Sequence, residues 1–233
     1  MKRIFRRGGR AREAGRRVLR VLLVVVAAFY LFCLLGLLSL RWWNPVLTSV
    51  QVQRRVEAIF RGESYAKRAS FLPLAHIPLH LQHAVIAAED SRFYQHSGID
   101  WVELGKVIEK GWETDRIPRG ASTITQQLVK NLFLTTHPSF IRKGIEFTLV
   151  PFAELILSKE RLLELYLNVV EWGPGVFGAE AASRFHYRLP ASRLTREQSA
   201  RLAACLPAPL ARRPQEMHRY GAEILRRMEK MGW

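Results

Sequence analysis

The sequence predicts a mainly α-helical domain standing behind a single N-terminal transmembrane helix, and three observations carry that reading. Val21 to Leu40 contains no charged residue and, as a helix, is long enough to cross a hydrocarbon core of ~30 Å. Beyond it, apolar residues recur at helical spacing in one segment after another, while the alternation of a half-buried strand is scarce. The domain expected over 71–233 runs to about 160 residues, enough for one ordinary hydrophobic core. Cys33 lies inside the apolar segment and Cys205 far down the domain, so no disulfide between them is expected and packing must hold the fold.

Residues 1–20 form a basic tail with nine positive side chains opposed only by Glu13. The positive-inside rule puts this tail in the cytoplasm and everything after Arg41 on the other side. Arg20 and Arg41 bracket the apolar run, and Trp42-Trp43 stand where an interfacial aromatic belt would lie. No small-x-small cleavage site follows Leu40, so residues 21–41 read as an uncleaved anchor rather than a signal peptide. The net charge of +16 divides evenly between the tail and the rest. The basic outer domain suits a phosphate-bearing substrate or a membrane surface. Nucleic acid is a poor partner on that side of a membrane, and no zinc-finger or RNP-type signature supports it.

Asn44-Pro45 breaks the anchor helix, and residues 42–70 read as a juxtamembrane segment with an amphipathic stretch from Val46 to Phe60. The domain proper is expected over 71–233. Pro73 and Pro78 precede a helix that ends near Glu89. Helical patterns follow at Trp101 to Glu113, Ser122 to Phe133, Phe140 to Ser158 and Lys159 to Val170. A turn at Gly173-Pro174-Gly175 leads to further helices at Ala179 to Phe185, Thr195 to Leu206 and Tyr220 to Met231.

Four polar clusters interrupt this apolar pattern. Ala84-Val85-Ile86-Ala87-Ala88 runs directly into Glu89-Asp90, followed by Phe93, His96 and Gly98. A helix apolar on every side is buried, so it carries its acids inward. Burial and the negative helix end both raise the pKa of Glu89 and suit it to accept a proton. A solvated helix end is the competing reading of the acid pair alone. Gly120-Ala121-Ser122-Thr123 opens a helix bearing Gln126, Gln127, Lys130 and Asn131, where free N–H groups favour an anion, although a capped helix with a polar face gives the same pattern. In Arg142-Lys143-x-x-Glu146 the cations could hold phosphate oxygens, yet Arg142 and Glu146 are also ordinary i,i+4 partners. The fourth cluster, Lys159 to Asn168, is mostly core leucine, with Tyr166 and Asn168 open to either role.

In series, Glu-Asp-x-x-Phe-x-x-His-x-Gly, Gly-x-Ser-Thr-Ile-Thr-Gln-Gln, Arg-Lys-x-x-Glu and Tyr-Leu-Asn before a glycine turn closely resemble the peptidoglycan glycosyltransferase (transglycosylase) family, from about Ile77 to Pro214. The resemblance implies a lysozyme-like, mainly helical fold and a monofunctional enzyme of the Gram-negative type, anchored in the inner membrane with its catalytic domain in the periplasm. It implies polymerisation of lipid II into β-1,4 glycan by inverting transfer from a growing lipid-linked chain. Glu89 and Glu146 would be catalytic. Asp90, Phe93, His96, Ser122, Thr123, Gln126, Gln127, Lys130, Asn131, Arg142 and Lys143 would bind substrate. No cofactor is implied as required, though a divalent metal, Mg or Mn, near Glu146 is compatible with the resemblance, and other cell-wall synthesis or divisome proteins are candidate partners. Two positions depart from the family pattern: Pro138 stands where another basic residue is common, and Phe185-His186 where an aromatic pair is common. Ser64-Tyr65-Ala66-Lys67 matches a Ser-x-x-Lys acylation motif but lacks companion elements and reads as chance. A lytic enzyme sharing the fold and a non-catalytic scaffold are the rival readings. The cationic third cluster favours synthesis, because cleavage has no pyrophosphate to hold.

Overall fold

The computed structural model describes the backbone of residues 2–114 and 122–233, and side chains from Glu13 onward except 14 and 111–121. The first element, α1 (Lys2–Ser39), is one continuous helix whose Gly15–Ser39 part is long and apolar enough to cross a membrane. Val21 to Val26 stand exposed, whereas Cys33, Leu37 and Leu40 are buried in the same core as the domain. Tyr30 donates its hydroxyl to Thr148 Oγ1 at 2.6 Å, since Thr148 gives its own proton to the Ile145 carbonyl. Gly36 permits the close approach of Phe133, whose ring a Cβ there would meet at 2.9 Å.

The amphipathic stretch forms α2 (Ser49–Arg61), started by the Thr48 cap and stopped by Gly62 in the left-handed region. α2 is part of the domain: it packs on α5 (Ile124–Phe133) and buries Val50, Gln51 and Ala58. Gln53 fixes it to the loop after α5 by donating to Thr136 Oγ1 and accepting from the Thr136 N–H, both at 2.8 Å.

The remaining helices are α3 (Leu79–Glu89), α4 (Trp101–Thr114), α6 (Phe140–Ile156), α7 (Lys159–Val169), α8 (Ala179–Tyr187), α9 (Arg196–Ala203) and α10 (His218–Lys230). They follow the hydrophobic pattern within a few residues at each end. α5 packs against α6 and α7, while α3 packs against α9 and α10. Leu81, Ala84, Val85, Ile86 and Ala87 of α3 are all buried, which is why that helix reads as apolar on every side.

A small sheet escapes the sequence pattern. β1 (Arg68–Ala69) pairs parallel to β3 (Val176–Phe177), which pairs antiparallel to β2 (Glu171–Gly173), in the order β1-β3-β2. Strands of two or three residues are too short to display alternation. The turn after β3 requires Gly178: its φ is +89°, and a Cβ would lie 2.9 Å from the Asn168 carbonyl oxygen. Asn168 holds the loop before α3 by exchanging hydrogen bonds with the backbone of Leu72, a structural role. Arg161 of α7 donates to the carbonyls of Leu40 and Trp43 and to Asn44 Oδ1, binding the end of α1 to the domain.

Candidate active site

Glu89 is the last residue of α3, and the Asp90 N–H closes the helix on the Ile86 carbonyl. Glu89 is half-buried and lines a cleft of about 120 Å³ together with Ser122, Thr123 and, from α10, Arg227. Burial pushes its carboxyl above the ordinary carboxylate range; the Gln127 amide and the charges of Lys130 and Arg212 only partly offset this, and Asp90 adds to it. Gln127 Nε2 donates to Glu89 Oε2 at 2.7 Å. The direction of that amide is set from behind, because the fully buried Tyr166 hydroxyl donates to Gln127 Oε1 at 3.0 Å. Burial and the nearby Glu89 and Asp90 charges hold the Tyr166 pKa well above its usual value, so it remains a donor.

The second half of the site lies on α5 and α6. Glu146 is 2 % exposed, and its two oxygens accept from Lys143 Nζ at 2.5 Å and Arg142 Nη1 at 2.7 Å. The i,i+4 pair is therefore not surface decoration: its carboxylate is enclosed and its guanidinium mostly so. Lys143 also donates to Ser122 Oγ at 3.0 Å, and Arg142 to the His137 carbonyl at 2.9 Å. Lys130 stands between the two halves. Burial lowers its pKa; Glu146 and Glu89 attract its charge, while Arg142 and Lys143 repel it. Among the described residues none accepts a hydrogen bond from the Lys130 ammonium, which leaves its donors available.

Several residues expected to bind substrate also frame the site. Phe93 is 0 % exposed, with Lys159 Nζ 4.5 Å from its ring centroid, and offers no surface to a ligand; that expectation is corrected. Asp90 accepts from His96 Nε2 at 2.8 Å and from the Ile124 N–H at 3.0 Å. His96 Nδ1 accepts from the Gly98 N–H, so the proton sits on Nε2 and points at Asp90. Thr123 and Gln126 form a reciprocal capping box on α5, and Thr123 Oγ1 donates to the Gly98 carbonyl at 2.6 Å. Asn131 donates to the Gln127 carbonyl. The anion expected at the start of α5 is thus Asp90 itself, while Gly120 and Ala121 lie outside the described residues. Glu89, Gln127, Ser122, Lys130, Arg142, Lys143 and Glu146 are brought together; Asp90, Phe93, His96, Thr123, Gln126 and Asn131 hold the elements that carry them.

The surroundings of Glu146 do not fit a divalent ion. Its carboxylate already faces two cations, and among the described residues the one group of three potential ligands is Asp90, His96 and Asp100, elsewhere in the site. The oxygens of that group are engaged as well, by His96, by the start of α5, by the start of α4 and by Arg92.

Sequence reasoning missed Arg212 and Arg227. Arg227 donates to the Ala87 carbonyl in the last turn of α3, and both guanidinium groups lie over the Tyr220 ring. No spacing in the chain links them to Glu89; Arg227 reaches α3 through the packing of α10 on it, and Arg212 stands in the turn after α9, donating to the Ala204 carbonyl.

Comparison with known proteins gives a consistent family. The family described as Transglycosylase matches residues 55–231, beginning within α2. A protein of Aromatoleum aromaticum named biosynthetic peptidoglycan transglycosylase is 45 % identical over 193 residues, covering 82 % of this chain and 84 % of that one. Proteins with the same name from Pseudomonas entomophila and Pectobacterium carotovorum are 43 % and 39 % identical, covering 84 % and 97 % of this chain and 84 % and 93 % of theirs. With this domain matched over most of its length and such relatives covering most of both chains, the chain belongs to the transglycosylase family.

Proposed function

We propose that this protein polymerises lipid II into the glycan strands of peptidoglycan, working from the outer face of the inner membrane with α1 as its anchor. The observation that carries the proposal is the facing arrangement of Glu89, with its raised pKa, and the Lys130, Arg142 and Lys143 cations. The acceptor's 4-hydroxyl attacks the anomeric carbon of the lipid-linked donor. Glu89 takes the hydroxyl proton as the new C–O bond forms. The bond from the anomeric carbon to the pyrophosphate breaks, and the departing oxygens gain negative charge that fixed cations stabilise. Attack opposite the leaving group inverts an α-linked donor to a β-linked product.

Glu146 contributes by holding Arg142 and Lys143 in place, and Lys130 supplies donors that no group among the described residues occupies. The missing basic residue at Pro138 leaves these three cations as the clamp. No step in this reading is routed through a divalent ion. Cell-wall synthesis proteins remain candidate partners by analogy with the pathway the substrate belongs to.

The test is polymerisation of purified lipid II in detergent or liposomes by the wild type and by Glu89→Gln. Long muramidase-sensitive strands from the wild type, lost in the variant, are expected. Shortening of preformed glycan would indicate a lytic enzyme, and a folded wild type that makes no product would indicate a scaffold.

A further inference from the structure

An apolar groove of about 540 Å³ runs between α2 and the loop that joins α5 to α6. Val52, Val56 and Phe60 form its α2 wall, and Thr135 and His137 the other. These α2 residues lie on the exposed face of the helix, with Phe60 87 % exposed. The groove is a formed feature, because the paired Gln53–Thr136 hydrogen bonds fix its two walls together. Its charged lining residues meet each other: Glu57 is engaged by Arg54 at 2.9 Å, by Gln53 and, at 4.0 Å, by Arg61, which also lines the groove and lies 4.0 Å from Glu63.

We infer that this groove receives the first part of the polyprenyl chain of the lipid-linked pyrophosphate held at the cationic clamp. Two observations select that occupant. The first is continuity: His137 lines the groove, and its carbonyl accepts from Arg142 Nε at 2.9 Å, so the groove begins where the clamp ends. A chain covalently attached to a pyrophosphate at Arg142 and Lys143 must leave from that point. The second is location and chemistry. α2 follows the apolar anchor helix directly in sequence, and the neighbouring residues Phe140 and Ile141 at the start of α6 are 95 % and 77 % exposed. Apolar surface therefore continues on both sides of His137, as an isoprenoid needs and a sugar or peptide does not. The groove has room for a few isoprene units, leaving the rest of the chain in the bilayer.

The inference rests on the polymerase reading but is tested separately from it. The full-length protein in detergent micelles is irradiated with a long-chain prenyl pyrophosphate carrying a diazirine in its early isoprene units, and labelled peptides are mapped. Label on residues 49–61 and 135–137 is expected, displaced by unlabelled long-chain prenyl pyrophosphate and lost in the Val52→Gln/Val56→Gln double variant. Label confined to other segments, or unaffected by the substitutions, overturns the inference. Displacement by a phospholipid lacking pyrophosphate as effectively as by the prenyl pyrophosphate also overturns it, since the groove would then hold ordinary lipid. In polymerisation, the wild type's preference for a long-chain over a short-chain donor, as kcat/KM, should fall about tenfold in the double variant, equivalent to ~1.4 kcal/mol. An equal loss on both donors counts against the groove. Labelling as expected without polymerisation would leave the groove standing and remove the polymerase reading.

Discussion

Gln127 donates to Glu89 with an amide whose orientation is dictated by Tyr166, so the Glu89 carboxylate is aligned from the core outward. In Tyr166→Phe, Gln127 Oε1 loses its donor and the amide is free to rotate. Turnover should fall several-fold, about what the loss of one hydrogen bond implies, with little change in KM. Steady-state kinetics on lipid II would check this; an unchanged kcat would show that Glu89 does not depend on the relay.

The raised pKa of Glu89 has opposite consequences for rate and stability. As the proposed base, Glu89 works only when ionised, so kcat/KM should decline as pH falls through a value above its ordinary one. For folding, the acid binds its proton more tightly in the native state than in the unfolded chain. Its stabilising contribution is present below the unfolded pKa and disappears as pH rises through the folded one. Glu89→Gln should therefore raise Tm relative to the wild type at neutral pH, and the difference should vanish in acid. Thermal melts at several pH values would decide it.

Removal of a clamp cation should reduce kcat strongly without loss of fold. Lys130→Met should cost ~10²–10³ in rate, as expected for a group facing developing charge. Its Tm should hold or rise at neutral pH, because the lowered pKa means that the native fold disfavours the charged amine. A rate within a few-fold of wild type would exclude Lys130 from the transition state.

Glu146 and Arg142 act through one another, so their effects should not add. Glu146→Gln should weaken activity by loosening Arg142 and Lys143, and Arg142→Gln in that background should cost much less than in the wild type. Additive losses in a double-mutant cycle would mean that Glu146 has a separate role.

Gly98 is the framing residue with the least tolerance. Its φ is +87°, and a Cβ there would lie 2.4 Å from Val150 Cγ1. Gly98→Ala should destabilise by about 2–4 kcal/mol, combining a strained backbone with overpacking. Denaturant unfolding measures this directly.

Much of this arrangement was legible in the chain because its information is local. The apolar run before Glu89, the Thr123–Gln126 capping pair and the cation–acid spacing on α6 each sit within a few consecutive residues. What the sequence cannot distinguish is whether a polar residue faces substrate or holds a frame, since both need the same chemistry. Asp90 looks like a partner of Glu89 until it is seen capping Ile124, a helix start far along the chain. Phe93 looks available until the core closes over it. Arg227 has no sequence signal because α10 reaches the site only through tertiary packing. The segment 42–70 reads as juxtamembrane, and only the structure shows α2 and β1 in it tied to α5 and β3.

Arg161 clasps the backbone just past α1, and Tyr30 grips Thr148 farther back along the same helix. The outer part of the anchor is thereby fastened to the body of the domain at two separate points. On the membrane-anchored reading, the cleft works at a single height and keeps one bearing relative to the bilayer. Steering of a nascent strand then falls to rotation and drift of the whole molecule in the membrane plane. A generic transmembrane helix grafted in place of α1 would restore attachment but not heading.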